Sequence, residues 1–243
     1  LYRAADGWRV QTAAGFEPAA EPFPPNPYID ARPGDDGWAA PVSPSKIICV
    51  GLNYRAHAEE MNKAIPPEPL LFMKPITALV PPGGVVELPP SSEEVHHEGE
   101  LAIVIGKRTV KIDPTDANAS IFGYTIANDV TARDIQRREK RYTRGKGFDT
   151  FCPIGPCIVT ADAFNPSEES ITLHVNGELR QKSALNDFIF DIPTVVSFVS
   201  HVMTLLPGDV ILTGTPSGVA PIRSGDRVEI SISGIGTLAH SVR

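Results

Sequence analysis

The sequence has few cysteines and no long hydrophobic run, and both absences narrow the class of protein. No stretch approaches the roughly 18 apolar residues that a membrane-spanning helix needs, and the first residues lack the pattern of a signal peptide. Three cysteines, Cys49, Cys152 and Cys157, leave at least one thiol unpaired and form no CxxC motif. We therefore expect a cytoplasmic protein with small buried thiols and no membrane partner.

Basic residues are also scarce. Lysine and arginine total 22 against 29 aspartates and glutamates, which gives a net charge of −7. The one basic cluster, at residues 137–141, is typical of the solvated end of a helix, where cations also suit the helix dipole. A net-acidic chain without a basic stripe is not expected to bind nucleic acid.

The chain divides by composition near residue 45. Residues 1–45 hold eight prolines and few periodic apolar positions, which indicates an extended segment or small lobe. Residues 46–243 form the expected main domain, where the pattern is mostly β. Short apolar runs between turns rich in proline and glycine predict strands. These strands are expected at 46–51, 70–73, 85–88, 100–105, 121–127 and 154–159.

Turn and cap residues predict the other elements. The Asn176-Gly177 pair indicates a hairpin with a type I′ turn. Asp113 before Pro114 predicts the start of one helix. A second helix is expected from Asp191 to about Leu206, with a broad buried face that includes Val202. The sequence thus predicts a mixed α/β, predominantly β fold with short flanking helices.

Two glutamates one residue apart, Glu98 and Glu100, lie on a predicted strand. Residues i and i+2 share a face, so both carboxylates point one way, about 7 Å apart, while Leu101 and Ile103 point into an apolar layer. Two like charges on a half-buried sheet need a cation or a hydrogen-bond network between them. With Asp129, which ends another apolar run, three carboxylates suit Mg²⁺ or Mn²⁺. Surface acids on an edge strand are the alternative.

The segment that follows Asp129 predicts a helix. Positions i, i+4 and i+7 share a helix face, which would align Asp129, Arg133 and Gln136. A carboxylate for a metal, a guanidinium and an amide together suit an anionic, oxygen-rich ligand. The alternative is an ordinary solvated helix with an Asp129–Arg133 ion pair.

Other motif matches are incomplete. His97-Glu98 is not the start of a zinc-binding HExxH motif, because Leu101 stands where the second histidine is needed. The glycine-rich segment 213–218 lacks the lysine of a phosphate-binding loop. A cupin-like metal-binding β-protein, in which His96 and His97 join Glu98 as ligands of a transition metal, stays open as an alternative.

Seven spaced motifs resemble the fumarylacetoacetate hydrolase family, specifically its small acylpyruvate hydrolase and oxaloacetate decarboxylase members. They are VGLNYRAHAEE at 50–60, LFMKP at 71–75, HHEGEL at 96–101, NDVTARDIQ at 128–136, KGFD at 146–149, NGELRQ at 176–181 and LTGTPSG at 212–218. The resemblance covers residues 46–243. It implies a β-rich, sandwich-like roll and a homodimer.

The resemblance also implies the site residues. The metal ligands would be Glu98, Glu100 and Asp129. The substrate contacts would be Arg133, Gln136 and Thr215. The catalytic residues would be His57, Glu60 and Lys146. The implied metal is Mg²⁺, with Mn²⁺ or Ca²⁺ as substitutes.

His57 and Glu60 are spaced to hydrogen-bond along a helix, with Glu60 orienting the imidazole. Such a pair is also common as a purely structural contact, and a lysine such as Lys146 in a polar loop is often only solvated. In the family, the equivalent His–Glu pair lies on a lid that orders when ligand binds. Here Gly51 and the prolines at 66, 67 and 69 would bracket that lid.

The sequence therefore predicts a Mg²⁺-dependent C–C bond hydrolase or decarboxylase of small 2-oxo acids, such as acylpyruvates or oxaloacetate. Cleavage next to a ketone leaves an enolate, which the metal would stabilise as a Lewis acid. His57 would activate the attacking water. An isomerase/decarboxylase of aromatic catabolism, of the 2-hydroxyhepta-2,4-diene-1,7-dioate isomerase type, is the alternative within the family.

Overall fold

The computed structural model describes residues 1–4, 6–24, 26, 32–35 and 37–243. The strands in these ranges are β1 Tyr2–Ala4, β2 Gly7–Thr12, β3 Gly15–Ala19, β4 Trp38–Ala39, β5 Ile47–Gly51, β6 Leu70–Lys74, β7 Leu79–Val80, β8 Val85–Val86, β9 Val95–His96, β10 Gly99–Ile105, β11 Ile121–Asn128, β12 Thr131–Ala132, β13 Cys152–Thr160, β14 Ser170–Val175, β15 Glu178–Ala184, β16 Val210–Leu212, β17 Arg227–Ile232 and β18 Gly236–Val242. The α-helices are α1 Arg55–Glu60, α2 Arg133–Glu139, α3 Tyr142–Lys146 and α4 Ile192–Val202, and short 3₁₀ helices cover Ile76–Ala78, Pro114–Ser120 and Pro166–Glu168.

Across the described residues the strands form three larger sheets and one two-stranded pair. The central sheet has the order β6-β5-β16-β10-β11-β13-β7. The covering sheet has the order β15-β14-β17-β18-β8, and the N-terminal sheet β3-β2-β1-β4. Strand β10 is antiparallel to both of its neighbours, β11 and β16. The predicted mixed, mostly β fold is confirmed, and each of the six predicted runs coincides with a strand.

Strand β10 lies between two apolar layers. Leu101, Ile103 and Ile105 belong to the core shared with the covering sheet. Ala102 and Val104 point the other way, into a second core on the opposite face of the central sheet. All seven residues of β10 are buried. The strand is therefore enclosed on both faces, and the half-buried sheet predicted from the sequence is wrong for this strand.

The N-terminal residues close the second core. Trp8, Phe23, Ala40 and Val42 are buried in the same cluster as Ile47 of β5. These four side chains thus cover the face of the central sheet that is opposite the covering sheet. We propose a domain boundary between residues 45 and 46.

The turn and helix predictions are partly confirmed. Asn176 and Gly177 have φ values of 52° and 80°, as the type I′ turn between β14 and β15 requires. The segment after Asp113 is a 3₁₀ helix, and Asp113 makes no capping hydrogen bond. Helix α4 ends at Val202, which is 57% exposed, because the chain then turns to pair Leu205 with Thr109. None of the helices in the described ranges has the length and hydrophobicity to cross a membrane.

The cap of α4 gives a stability prediction. The Asp191 carboxylate accepts a hydrogen bond from the Thr194 backbone N–H at 2.9 Å. Asp191→Ala should lower the free energy of unfolding by about 1 kcal/mol, since a first-turn donor loses its partner. Asp113→Ala is the matched control and should have little effect. Urea denaturation of the three proteins measures this, and equal losses in the two variants would contradict it.

Candidate functional site

Three carboxylates converge where β10 begins and β11 ends. The two strands are paired with Gly99 opposite Asn128, which places Glu98 and Glu100 beside Asp129. One ligand oxygen from each of Glu98, Glu100 and Asp129 lies within 4.8 Å of the others. The three residues are 4%, 2% and 0% exposed. The alternative of surface acids on an edge strand is therefore wrong, because β10 lies inside the central sheet.

Three buried cations surround this carboxylate cluster. Lys146 donates to Glu98 at 2.7 Å and to Asp129 at 2.6 Å. Lys74 donates to the other oxygen of Asp129 at 2.6 Å, and Arg133 donates to Glu98. Burial alone would lower the pKa of Lys146, but Asp129 and Glu98 raise it above its usual range. The cluster is thus formally neutral without a metal.

Glu100 differs from the other two carboxylates. It accepts the Gly214 backbone N–H at 2.6 Å, and no ion pair in the described part of the chain reaches it. Burial, followed by the charges of Asp129 and Glu98, raises the pKa of Glu100 well above its usual value. Burial acts in the same direction on Glu98, but Lys146 and Arg133 outweigh it and lower that pKa. Glu100 is thus a buried carboxylate that lies beside two other carboxylates and forms no ion pair in the described part of the chain. Such an arrangement fits a divalent ion with oxygen ligands.

Arg133 and Gln136 share one face of α2, but Asp129 does not. The predicted alignment of all three is wrong, because α2 begins only at Arg133. Thr131 instead pairs with His96 in the two-stranded β12–β9 sheet, which keeps the chain extended after Asp129. Arg133 donates to the Gln136 side-chain oxygen at 2.6 Å and to Glu98. Both side chains line the same pocket as the carboxylates.

Helix α1 covers the other side of the pocket. The His57 Nδ1 lies 3.0 Å from a Glu60 oxygen, as the i,i+3 spacing predicts. The other Glu60 oxygen accepts the Gly218 backbone N–H at 2.9 Å. Asn53, just before the helix, donates to the Thr213 carbonyl at 2.8 Å. These contacts tie α1 to the loop at 213–218 and hold the His57 side chain over the site.

The resulting pocket is narrow. It contains about 30 Å³ of free space, enough for only one or two water molecules. All nine sequence-predicted site residues lie in or next to this pocket, eight lining it and Glu60 holding His57. The full lining is Val50, Gly51, Leu52, His57, Met61, Lys63, Phe72, Glu98, Glu100, Asp129, Arg133, Gln136, Tyr142, Lys146 and Thr215.

Two features of the site have no counterpart among the sequence predictions. Lys74 is 1% exposed and ion-paired with Asp129, although it was quoted only as part of a family motif. Its signal was a charged residue at the end of an apolar run, since a buried lysine needs an acid partner. Phe72 stacks on Tyr142 with ring centroids 4.8 Å apart, and the Lys146 ammonium lies 4.9 Å from the Phe72 ring. This aromatic wall was not predicted.

The two histidines before Glu98 do not join the carboxylate cluster. His96 contacts Glu94 at 2.8 Å, and His97 contacts Gln181 at 3.2 Å. Burial lowers the pKa of His97 to about 4, which keeps it neutral. In the described part of the chain the ligand atoms that converge belong to the three carboxylates and not to His96 or His97, so the transition-metal site with imidazole ligands is wrong. The donors present are all oxygens, as Mg²⁺ prefers.

A family model and several known proteins match this sequence. The family model described as the C-terminal domain of fumarylacetoacetate hydrolase matches residues 46–243. A Bos taurus protein named mitochondrial oxaloacetate tautomerase FAHD2B is 46% identical over 216 residues, which cover 84% of this chain and 69% of the relative.

Solved structures resemble the whole fold. The 5-carboxymethyl-2-hydroxymuconate delta-isomerase of Mycobacterium smegmatis is 43% identical, with a TM-score of 0.80. The match covers 96% of this chain and 97% of that one. A fumarylacetoacetate hydrolase from Exiguobacterium antarcticum is 42% identical, with a TM-score of 0.79, over 85% of this chain and 78% of that one.

Proposed function

The chain belongs to the fumarylacetoacetate hydrolase family, and we propose that it is a Mg²⁺-dependent C–C bond hydrolase or decarboxylase of small 2-oxo acids. Acylpyruvates and oxaloacetate are the substrates that we propose. The observation that carries the proposal is the buried carboxylate cluster with its three cations. With a divalent ion added, the formally neutral cluster becomes positive. A positive, buried pocket suits a small dianionic ligand.

Glu98, Glu100 and Asp129 would hold the metal, and Mn²⁺ or Ca²⁺ would be substitutes. A bound Mg²⁺ supplies Lewis acidity at the substrate's ketone oxygen, which lowers the cost of the charge that develops there by several kcal/mol. Glu100 gains most from the ion, because it forms no ion pair in the described part of the chain.

Arg133, Gln136 and Lys146 would bind the anionic groups of the substrate. Arg133 and Lys146 are held by Glu98, so their positions are set before a ligand arrives. Such fixed donors stabilise developing negative charge without reorganising. Thr215, 3% exposed at the edge of the pocket, would complete the substrate contacts.

His57 would act as the general base. Glu60 holds its Nδ1, which leaves Nε2 free to take a proton from water. The water would then attack the distal carbonyl of an acylpyruvate, and His57 would return the proton as the C–C bond breaks. The contact of Glu60 with Gly218 keeps the pair aligned.

A second candidate function is tautomerisation or isomerisation of a 2-oxo acid. It is favoured by the printed activities of two relatives, an oxaloacetate tautomerase and a delta-isomerase, each more than 40% identical to the chain. The same pocket would serve, with His57 moving a proton between carbon and oxygen instead of activating water.

A substrate panel tests the two functions. Acetylpyruvate, fumarylpyruvate and oxaloacetate would each be assayed with Mg²⁺, with Mn²⁺ and with EDTA. We expect metal-dependent cleavage of at least one of them, measured as product formed. Loss of the enol absorbance of oxaloacetate without carbon dioxide release would instead assign the tautomerase. No turnover of any substrate with either metal would overturn both proposals.

A ligand-dependent lid is a further prediction. The pocket has room for one or two waters and α1 lines one side of it, so we expect α1 to move when a 2-oxo acid binds. Helix α1 is only six residues long and has no side-chain cap. Amide exchange in residues 55–65 should therefore slow markedly when oxalate and Mg²⁺ are added together. Exchange in β17, away from the pocket, is the internal control, and equal rates in 55–65 with and without ligand would contradict the prediction.

We also propose that the protein is a homodimer that acts on free small molecules in the cytoplasm. Light scattering coupled to size-exclusion chromatography measures the mass, and a mass near the 26.1 kDa of one chain would contradict the dimer.

A further inference from the structure

One side chain from the covering sheet reaches the edge of the pocket. Gln181, on β15, is 1% exposed. Its Oε1 accepts the Gly99 backbone N–H at 3.0 Å and faces the His97 Nδ1 at 3.2 Å. Its Nε2 donates to the Thr215 hydroxyl and to the Pro216 carbonyl, both at 2.8 Å. Every hydrogen-bonding position of this amide is used.

The orientation of the amide follows from its backbone partners. The Gly99 N–H can only donate, so the Gln181 atom facing it is the oxygen. The Pro216 carbonyl can only accept, so the atom facing it is the nitrogen. The same nitrogen contacts Thr215, so the Thr215 oxygen accepts this hydrogen bond.

The hydrogen of the Thr215 hydroxyl also has a hydrogen-bond partner. It points to the Gly99 carbonyl, 2.9 Å from the hydroxyl oxygen. A hydroxyl has one hydrogen and two lone pairs. One lone pair is taken by Gln181 and the hydrogen by Gly99. A single lone pair is left for the pocket.

We infer that Gln181 fixes the Thr215 hydroxyl as a hydrogen-bond acceptor towards the pocket, so that the site favours ligands that place a donor there. The inference rests on the proposed function, since it concerns the same 2-oxo acid pocket. A carboxylate oxygen cannot donate to Thr215. The hydroxyl of an enol or of a hydrated ketone can, and so can a water molecule.

The Thr215 hydroxyl differs in charge and in hydrogen-bonding role from the other polar side chains that line the pocket. Arg133 and Lys146 are donors only, and they match carboxylate oxygens. Among the lining residues described, the other side-chain acceptors that face these donors are the charged oxygens of the carboxylate cluster and the Gln136 oxygen, which already accepts from Arg133. Thr215 is thus a neutral acceptor that can recognise a neutral O–H or N–H group. It is a specificity residue, and Gln181 is its positioning residue.

Oxalate and oxamate test the inference, because oxamate carries an NH₂ group where oxalate has only oxygens. Calorimetry would measure the Kd of each with Mg²⁺ for the wild type, Thr215→Val, Thr215→Ser and Gln181→Met. In Thr215→Val the ratio of the oxamate Kd to the oxalate Kd should rise roughly 5-fold, the usual effect of one neutral hydrogen bond. Thr215→Ser should keep the wild-type ratio.

Gln181→Met separates orientation from the mere presence of the hydroxyl. Without the amide, the Thr215 hydroxyl keeps only the Gly99 carbonyl as a partner and can leave it to donate to oxalate, so the ratio should move in the same direction as in Thr215→Val, by a smaller factor. Unchanged ratios in both variants, or equal weakening of both ligands, would overturn the inference. Failure of the wild type to bind either ligand with Mg²⁺ would overturn the proposed function, and the inference with it. Melting temperatures show which variants are folded.

Discussion

Glu100→Gln should abolish metal-dependent turnover and weaken Mg²⁺ binding at least about 100-fold. Partners that only orient a metal ligand already contribute 10–100-fold to affinity, so a direct ligand should contribute no less. The variant should nevertheless fold. Glu100 is a buried carboxylate whose nearest ionised neighbours are acidic, and its removal relieves repulsion from Asp129 and Glu98. The free energy of unfolding without metal should therefore stay level or rise.

Titration calorimetry with Mg²⁺ and urea denaturation with EDTA measure these two effects. Glu94→Gln is the matched control, because Glu94 lies near the site but binds Arg137 and His96 instead of the cluster. It should keep the wild-type affinity for Mg²⁺. The assignment of the ligands would be wrong if Glu98→Gln, Glu100→Gln and Asp129→Asn all bound Mg²⁺ as the wild type does.

His57→Ala should reduce acylpyruvate hydrolysis by roughly 10²–10⁴-fold, the usual contribution of a general base. Metal affinity should be kept, because His57 contacts Glu60 and not the carboxylate cluster. Decarboxylation of oxaloacetate should fall less, since it needs an electron sink but no activated water. The unequal loss distinguishes a base from a residue that only closes the pocket.

Kinetics of both reactions, measured side by side on the same variants, compare the two losses. Glu59→Gln is the control, because Glu59 is exposed on the same helix and should leave both reactions unchanged. Glu60→Gln should show an intermediate loss in hydrolysis, as the imidazole keeps a weaker partner. Equal losses of hydrolysis and decarboxylation in His57→Ala would mean that His57 acts through lid closure or binding, and its role as the base would be abandoned.

Six of the strands are predicted from the sequence because short apolar runs between turns have one simple interpretation. Residue alternation also predicts that the Glu98 and Glu100 carboxylates lie together, and in the structure, where Glu98 immediately precedes β10, one ligand oxygen of each lies within 4.8 Å of the other. It could not show that β10 is enclosed on both faces. That depends on which strands become its neighbours and on the packing of Trp8 and Phe23 over the second face, neither of which is local information.

The errors came from long-range pairing. The helical spacing to Arg133 predicts that Asp129 lies in the helix, but Thr131 pairs with His96, 35 residues away in the chain. Pro207 and Gly208 predict that α4 ends near Leu206, whereas Leu205 is paired with Thr109. The ion pair of Lys74 with Asp129 spans 55 residues. Such contacts override local preference and leave little trace in a single sequence.

The three cations around the carboxylate cluster affect how metal and substrate bind together. Lys74, Lys146 and Arg133 already balance the carboxylates, so a divalent ion entering alone leaves an excess positive charge in a region of low dielectric. A dianion that enters with the ion removes this excess. The two ligands should therefore bind cooperatively, and thermodynamic linkage requires each to raise the affinity for the other by the same factor. Between turnovers the protein would hold its metal loosely, and it would hold it tightly only while substrate is bound.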